Sequence, residues 1–159
     1  MSSTQQPLRR ARAEDVDGLV GLWVDVTAHH AALDPLFTLR PRSRPVIERL
    51  IRSQLRDPDA AIFAVDVDDE LAGFCCVRID RAPPILVETR RAEITDLGVR
   101  VVSRRRGLGR TLAEAAVDWT LERGIDRIEV RVAANNVEGQ AFWRALGFGD
   151  LMDVLQRRL

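Results

Sequence analysis

The segment Arg104-Arg105-Arg106-Gly107-Leu108-Gly109 stands where an apolar run, Ile94 to Val102, gives way to an amphipathic pattern. Glycines at 107 and 109 allow a tight turn and a close approach of ligand to backbone. The first N–H groups of a following helix, those of Leu108, Gly109 and Arg110 among them, have no intrahelical acceptor and lie at the positive end of its dipole. Such a turn is suited to a pyrophosphate. Arg100, Arg104, Arg105, Arg106 and Arg110 add positive charge around it. For any one arginine, a solvated surface charge is the alternative reading. Two other phosphate loops do not fit, because no Gly-Lys-Ser/Thr follows and the third glycine of a dinucleotide fingerprint would fall on Leu112.

The elements that must position this turn follow from periodicity. A short strand is expected at Pro7 to Arg12, then a helix with Glu14, Asp15 and Asp17 in its first turn and Val16, Leu19, Val20, Trp23 and Val26 at helical spacing. A second helix spans about Pro45 to Arg56, with Val46, Ile47, Leu50, Ile51 and Leu55 on one face, and Asp57-Pro58 ends it. Ala61 to Val67 and Leu71 to Ile79 read as a hairpin around Asp68-Asp69-Glu70. After the strand through Ile94, the glycine turn opens a helix that buries Leu108, Leu112, Ala115, Ala116 and Trp119, with Gly124 as its stop. A strand at Ile128 to Val132, a helix from Val137 to Leu146 and a final strand from Leu151 to Gln156 complete the order.

Composition limits the possibilities. The 159 residues fit a single domain with a core of its own. No apolar run is long enough to span a bilayer and no basic-then-apolar leader opens the chain, so a soluble, cytoplasmic protein is expected, with no membrane partner. Cys75 and Cys76 are adjacent, which disfavours a bridge between them and offers no metal or redox spacing. His29-His30 likewise forms no metal site by itself. The formal net charge is zero and no aromatic stacking pattern accompanies the arginines, which argues against nucleic acid as a partner. All 24 basic residues are arginine, so the chain has no lysine amine to modify.

Arg104, Gly107 and Gly109 occupy the fixed points of the R/Q-x-x-G-x-G/A loop of the GNAT superfamily of acyl-CoA-dependent N-acetyltransferases, which this segment resembles. Asn136 to Phe148 is similar to the same family's N-x-x-A-x-x-x-Y-x-x-x-G-F segment. Two motifs in the expected order extend the resemblance from Leu8 to the end of the chain. It implies an α/β (α+β) GNAT fold: a mixed, mostly antiparallel sheet with one splayed parallel strand pair and helices on both faces.

The resemblance also implies roles. Acetyl-CoA would enter between the strands around Ile94 to Val99 and Ile128 to Val132, pairing with free backbone groups of Leu97 and Val99 as an added strand would. The Leu97 N–H would stabilise the oxyanion at the thioester carbonyl. Arg104 to Arg110 would cradle the pyrophosphate, and Asn136 would cap its helix and touch the cofactor. Glu93, six residues before Val99, matches the general base of the histone-type branch, with Asp96 and Glu129 as rivals. Strict alternation places Thr95 and Leu97 on the face of Glu93. Trp143 stands where many members carry a proton-donating tyrosine, and an indole cannot replace it. Taking Val137, Ala141, Ala145 and Leu146 as the buried face turns Trp143 toward the cofactor as an apolar wall, a packed core residue being the alternative. The implied function is acetyl transfer to a primary amine by direct attack in a ternary complex, without metal. The alternative is a module that binds acyl-CoA without transferring it. The acceptor would be an amine-bearing small molecule or peptide, and a homodimer is common in the family.

Overall fold

In a computed structural model that describes residues 8–159, the hairpin read from the sequence is the centre of the sheet. Strand β2 (Ala60–Val67) and strand β3 (Glu70–Arg81) pair antiparallel around Asp68 and Asp69, whose φ angles of 52° and 61° are those of a two-residue primed turn. Aspartate tolerates that conformation because its short side chain bonds locally. Strand β1 (Leu8–Arg10) pairs antiparallel with β2, and strand β4 (Arg90–Val99) pairs antiparallel with β3. Strand β5 (Ile128–Val130) joins β4 in parallel, so among the described residues five strands lie in sequence order, each antiparallel to the one before except the last. Pro7 lies outside the described residues.

Helices cover both faces. Helix α1 (Val16–Leu33), entered through a short turn at Ala13–Asp15, buries Val16, Leu19, Val20 and Leu22. It packs with helix α2 (Arg44–Arg56) over Ile62, Phe74 and Cys76. Helix α3 (Leu108–Glu122) buries the expected stripe of Leu108, Leu112, Ala115, Ala116 and Trp119 on the opposite face, against Phe63, Val65, Cys75 and Ile94. Gly124, at φ 68°, ends α3 in the left-handed conformation that glycine adopts without a steric penalty. Adjacent strand residues point to opposite faces, so Cys75 and Cys76 belong to different cores and remain free thiols. Among the described residues, no helix is long and apolar enough to cross a membrane.

Three expectations change. The strand expected to reach Val102 ends at Val99, and a turn at Val101–Ser103 leads into the arginines. Residues 151–156 form no strand, and Leu151, Met152, Val154 and Leu155 are exposed. Their apolar residues come in doublets rather than alternation, so neither strand face would be apolar throughout. In helix α4 (Val137–Ala145) the buried face differs from the one expected, of which Leu146 alone packs on the core. Val137, Ala141 and Ala145 are exposed, whereas Trp143 is 8% exposed and packs edge-on between Phe142 and Phe148, at centroid distances of 4.9 and 5.1 Å. The large aromatic wins the interior because it removes far more apolar surface from water than an alanine or valine does. Trp143 is thus a core residue, the alternative weighed for it, and not an outward-facing wall.

Arg9 ties β1 to the rest of the fold. Its guanidinium donates to Asp15 at 2.8 and 2.9 Å and to Asp66 at 2.6 and 3.1 Å. These bonds hold the Asp15 carboxyl below the usual carboxylate range. A depressed pKa stabilises the fold above the unfolded value, near 4, and that stabilisation is lost as pH falls through the folded value. In urea unfolding, Asp15→Asn is therefore expected to lie furthest below wild type at pH 6–7 and to converge with it toward pH 2; a gap independent of pH contradicts the ion pair. Trp143→Ala should cost about 3–5 kcal/mol of unfolding free energy. A loss under roughly 1 kcal/mol would show that the indole is not a core element.

Candidate active site

The site begins with a fault in the β3–β4 ladder. Cys76 pairs with Asp96 but Val77 pairs with Ile94, so Thr95 is an extra residue on β4, a β-bulge. The bulge changes which edge each backbone group faces. Before it, Ala92 N–H donates to Arg127 O on the β5 side at 3.0 Å; after it, Arg100 N–H donates to Ala72 O on the β3 side at 2.8 Å. In an uninterrupted strand both would face one edge. Alternation beyond the bulge therefore turns the backbone groups of Asp96 and Gly98 to β3, and those of Leu97 and Val99 away from it. The β4–β5 pairing ends at Ile94 and Val130, so no strand covers Leu97 and Val99 on that side. A gap between two parallel strands results, with free backbone groups along one wall.

The gap leads to the arginine turn. The Arg104 side chain folds back, its Nε donating to Val99 O at 3.2 Å, which leaves the Val99 N–H as that residue's free group. Arg105 has φ 60° and Gly107 φ 80°, so left-handed residues alternate with ordinary ones. Such a run can gather successive N–H groups into a concavity suited to an anion. The first bond of α3 is Thr111 N–H to Gly107 O at 3.0 Å, so Leu108, Gly109 and Arg110 keep N–H groups without a helical acceptor. Arg100 is paired with Glu70 at 2.9 Å and Arg110 with Glu114 at 3.5 Å. Among the described residues Arg105 and Arg106, both exposed, have no carboxylate within 4 Å. Leu108 itself is buried, anchoring the turn to the α3 core.

Gly109 is needed for packing. A Cβ there would lie 3.3 Å from Phe142 Cε2 and 3.7 Å from Leu97 Cδ2, so Phe142 closes the inner end of the gap. The sequence reading gave Phe142 no role. Its pairing with Leu146 at i, i+4, both half-buried, was the available signal for the true inward face of α4. Asn136 caps α4 as expected, its Oδ1 accepting from Gly139 N–H at 3.0 Å. A Cβ on Gly139 would lie 2.5 Å from Asn136 Nδ2, so this glycine makes room for the cap. Asn135, also unforeseen, donates to Leu33 O at 2.6 Å and fastens the loop before α4 to the end of α1.

The carboxylates stand on the other face. Glu93 pairs with Arg78 across β3 and β4, and Asp96 pairs with Cys76, whose side chain lies in the α1–α2 core. Directly opposed residues share a face, so Glu93 and Asp96 both look toward the α1–α2 side. Leu97 packs with the α3 core, so the bulge overturns the strict alternation that put it beside Glu93. The Glu93 side chain is 7% exposed, with Arg78 Nη2 at 2.8 Å and Arg131 Nε at 3.3 Å. Glu129, opposite Glu93 in the parallel register, lies between Arg91 and Arg127. Burial raises the Asp96 carboxyl above its ordinary range, and pushes both cysteine thiols up. Half-buried His30 stacks on Phe37 at 5.5 Å, and burial lowers its pKa. No group of three or more His, Cys, Asp or Glu among the described residues is arranged to hold a metal.

Residues 27–148 match the family model described as acetyltransferase (GNAT) family. The chain is 31% identical over 147 residues to mycothiol acetyltransferase of Clavibacter sepedonicus, covering 92% of this chain but 44% of that one. It thus spans less than half the length of that curated relative. Among solved structures, a variant of the BH1408 protein of Bacillus halodurans superposes with a TM-score of 0.85 at 18% identity, covering 96% of this chain and 99% of that one. A protein of Clostridium acetobutylicum described as a predicted acetyltransferase and solved with acetyl-CoA superposes with a TM-score of 0.77 at 17% identity, covering 97% of this chain and 96% of that one. These structures share the overall fold, and the family match over most of the chain, joined to the bulged strand and glycine turn, makes this protein a member of the GNAT family.

Proposed function

We propose that this protein transfers an acetyl group from acetyl-CoA to the primary amine of a small molecule, by direct attack within a ternary complex. The observation that carries the reading is the uncovered backbone of Leu97 and Val99, which leads from the gap beside β5 to the free N–H groups at the start of α3. A strand edge, a concave turn and arginines without carboxylate partners fit the thiol arm and pyrophosphate of acetyl-CoA. The relative named for mycothiol and the structure holding acetyl-CoA support both halves of the proposal.

Each residue has a stated task. Leu97 N–H donates to the thioester oxygen as negative charge develops there. Val99 N–H pairs with the thiol arm, and Arg105 and Arg106, with the N–H groups of Gly107 to Arg110, hold the pyrophosphate. Arg104 keeps the Val99 carbonyl occupied, and Asn136 fixes the α4 end of the gap. A carboxylate on the α1–α2 face takes the proton of the ammonium, where Glu93, Asp96 and Glu129 all stand. Solvent supplies the proton for the departing thiolate, because Trp143 is buried and both cysteines are inaccessible. Acetyl-cysteine chemistry has no thiolate to begin from.

Release of CoA thiol from acetyl-CoA across a panel of amines tests the transfer. The chain suits this assay, since it has no lysine to acetylate and its own thiols are buried. Amine-dependent release is the expected result; CoA binding with no release under any amine would leave an acyl-CoA-binding module instead. For the cradle, Arg105→Ala/Arg106→Ala should weaken CoA about tenfold, roughly 1.4 kcal/mol. The difference should shrink as salt rises, and pantetheine, which lacks the pyrophosphate, should bind unchanged. Equal CoA affinity of mutant and wild type would remove the two arginines from the site.

A further inference from the structure

Three carboxylates reach the acceptor face, and the arginines divide them. Glu93 is held by Arg78 and Arg131, one guanidinium to each of its oxygens. Glu129 is held by Arg91 and Arg127. A carboxylate already engaged by two guanidinium groups must give up one of those contacts before an ammonium can reach it. Among the described residues Asp96 has no guanidinium within 4 Å, although it is partly buried. It follows Thr95 in the bulge, whose Oγ1 is buried without a hydrogen-bond partner, and it precedes Leu97. An unpaired carboxylate, an orphan hydroxyl and a free N–H thus fall on three successive residues where β4 leaves β5.

We propose that Asp96, rather than Glu93, is the catalytic residue that accepts the proton of the attacking amine, and that Glu93 is a positioning residue which holds Arg78 and Arg131 away from it. This rests on the acetyl-transfer reading above. The ammonium proton passes to Asp96 Oδ, and the freed electron pair forms the bond to the acetyl carbon. The C–S bond breaks with its electrons on the CoA sulfur, which takes the second amine proton through solvent, while Asp96 returns its proton to water. The raised carboxyl of Asp96 suits the task, since burial, helped a little by the like charge of Glu93, outweighs the nearby Thr95 hydroxyl and the attraction of Arg78. Glu93 and Arg78 are the charged side chains acting on it, and the Cys76 thiol opposite is neutral.

The test is a comparison of wild type, Asp96→Asn, Asp96→Glu and Glu93→Gln with the best amine of the panel. Asp96→Asn is expected to lose at least a hundredfold in kcat and the acidic limb of the pH profile, with KM for acetyl-CoA changed less than twofold. Asp96→Glu should recover part of the rate, and Glu93→Gln should fall no more than about fivefold while keeping the limb. Stability gives a second readout. A carboxyl raised in the folded state makes wild type lose stability as pH rises between the unfolded and folded values, so Asp96→Asn should unfold at a higher temperature than wild type at pH 8 and at an equal one near pH 3. Glu93→Gln should unfold earlier than wild type, since two arginines lose their partner. Wild-type kcat and pH profile in Asp96→Asn would overturn the assignment while leaving acetyl transfer standing. Tight CoA binding by wild type with no amine-dependent release would overturn both.

Discussion

Every buried backbone N–H and C=O must find a partner, and β4 cannot satisfy this rule along its whole length. It is paired on both edges only as far as Ile94; beyond the Thr95 bulge it keeps β3 and loses β5. The groups of Leu97 and Val99 that are released belong to a strand held on its other edge through Gly98 opposite Phe74 and Arg100 bonded to Ala72, so they keep their direction without a partner. That combination, fixed geometry with unspent bonding capacity, is what a ligand edge requires. The α3 turn and α4 complete the same gap, one with free helix N–H groups and the other with Phe142 against Gly109.

The bulge also sorts the chemistry by face. Without it, Glu93 and Leu97 would point to the same side of the sheet and crowd one helix layer. With it, Leu97 packs into the α3 core and Asp96 looks toward α1. The donor for an oxyanion and the carboxylates then approach one point from two directions, which is what a ternary complex demands of a thin sheet. Gly98 shows how close the α1 layer comes: a Cβ there would lie 2.2 Å from Val26 Cγ2 and 2.9 Å from Phe74 Cε1. The first helix is seated directly over the end of β4, and only glycine at 98 permits it.

Much of this was legible in the residues. The hairpin, the α3 stripe and the glycine turn follow from periodicity and punctuation, which are local properties of the chain. What escaped depended on pairing between distant segments. Nothing in Glu93-Ile94-Thr95-Asp96-Leu97 marks the extra residue, because a bulge exists only relative to its partner, here Cys76-Val77. The α4 face was misread because five apolar residues in a nine-residue helix allow more than one stripe, and the choice was made by Phe148, beyond the helix, against which Trp143 packs. The ion pairs of Glu93 come from β3 and from the chain just beyond β5, so its spacing from Val99 was readable whereas its electrostatic surroundings were not.

Charge is distributed here by pairing rather than by total. With acids and bases equal in number, the chain has no long-range field to guide a polyanion, so selectivity must come from which charges remain unpaired. On the acceptor face the arginines are spent on Glu88, Glu93 and Glu129. At the turn, Glu70 and Glu114 take Arg100 and Arg110 but leave Arg105 and Arg106 free. Arg104, Arg105 and Arg106, without a carboxylate partner among the described residues, thus stand at one end of the gap and the unpaired Asp96 near the other. A bound molecule with phosphates at one end, and an incoming ammonium at the other, would meet complementary charge at both. Because arginine does not titrate in this range, the cationic end is constant with pH.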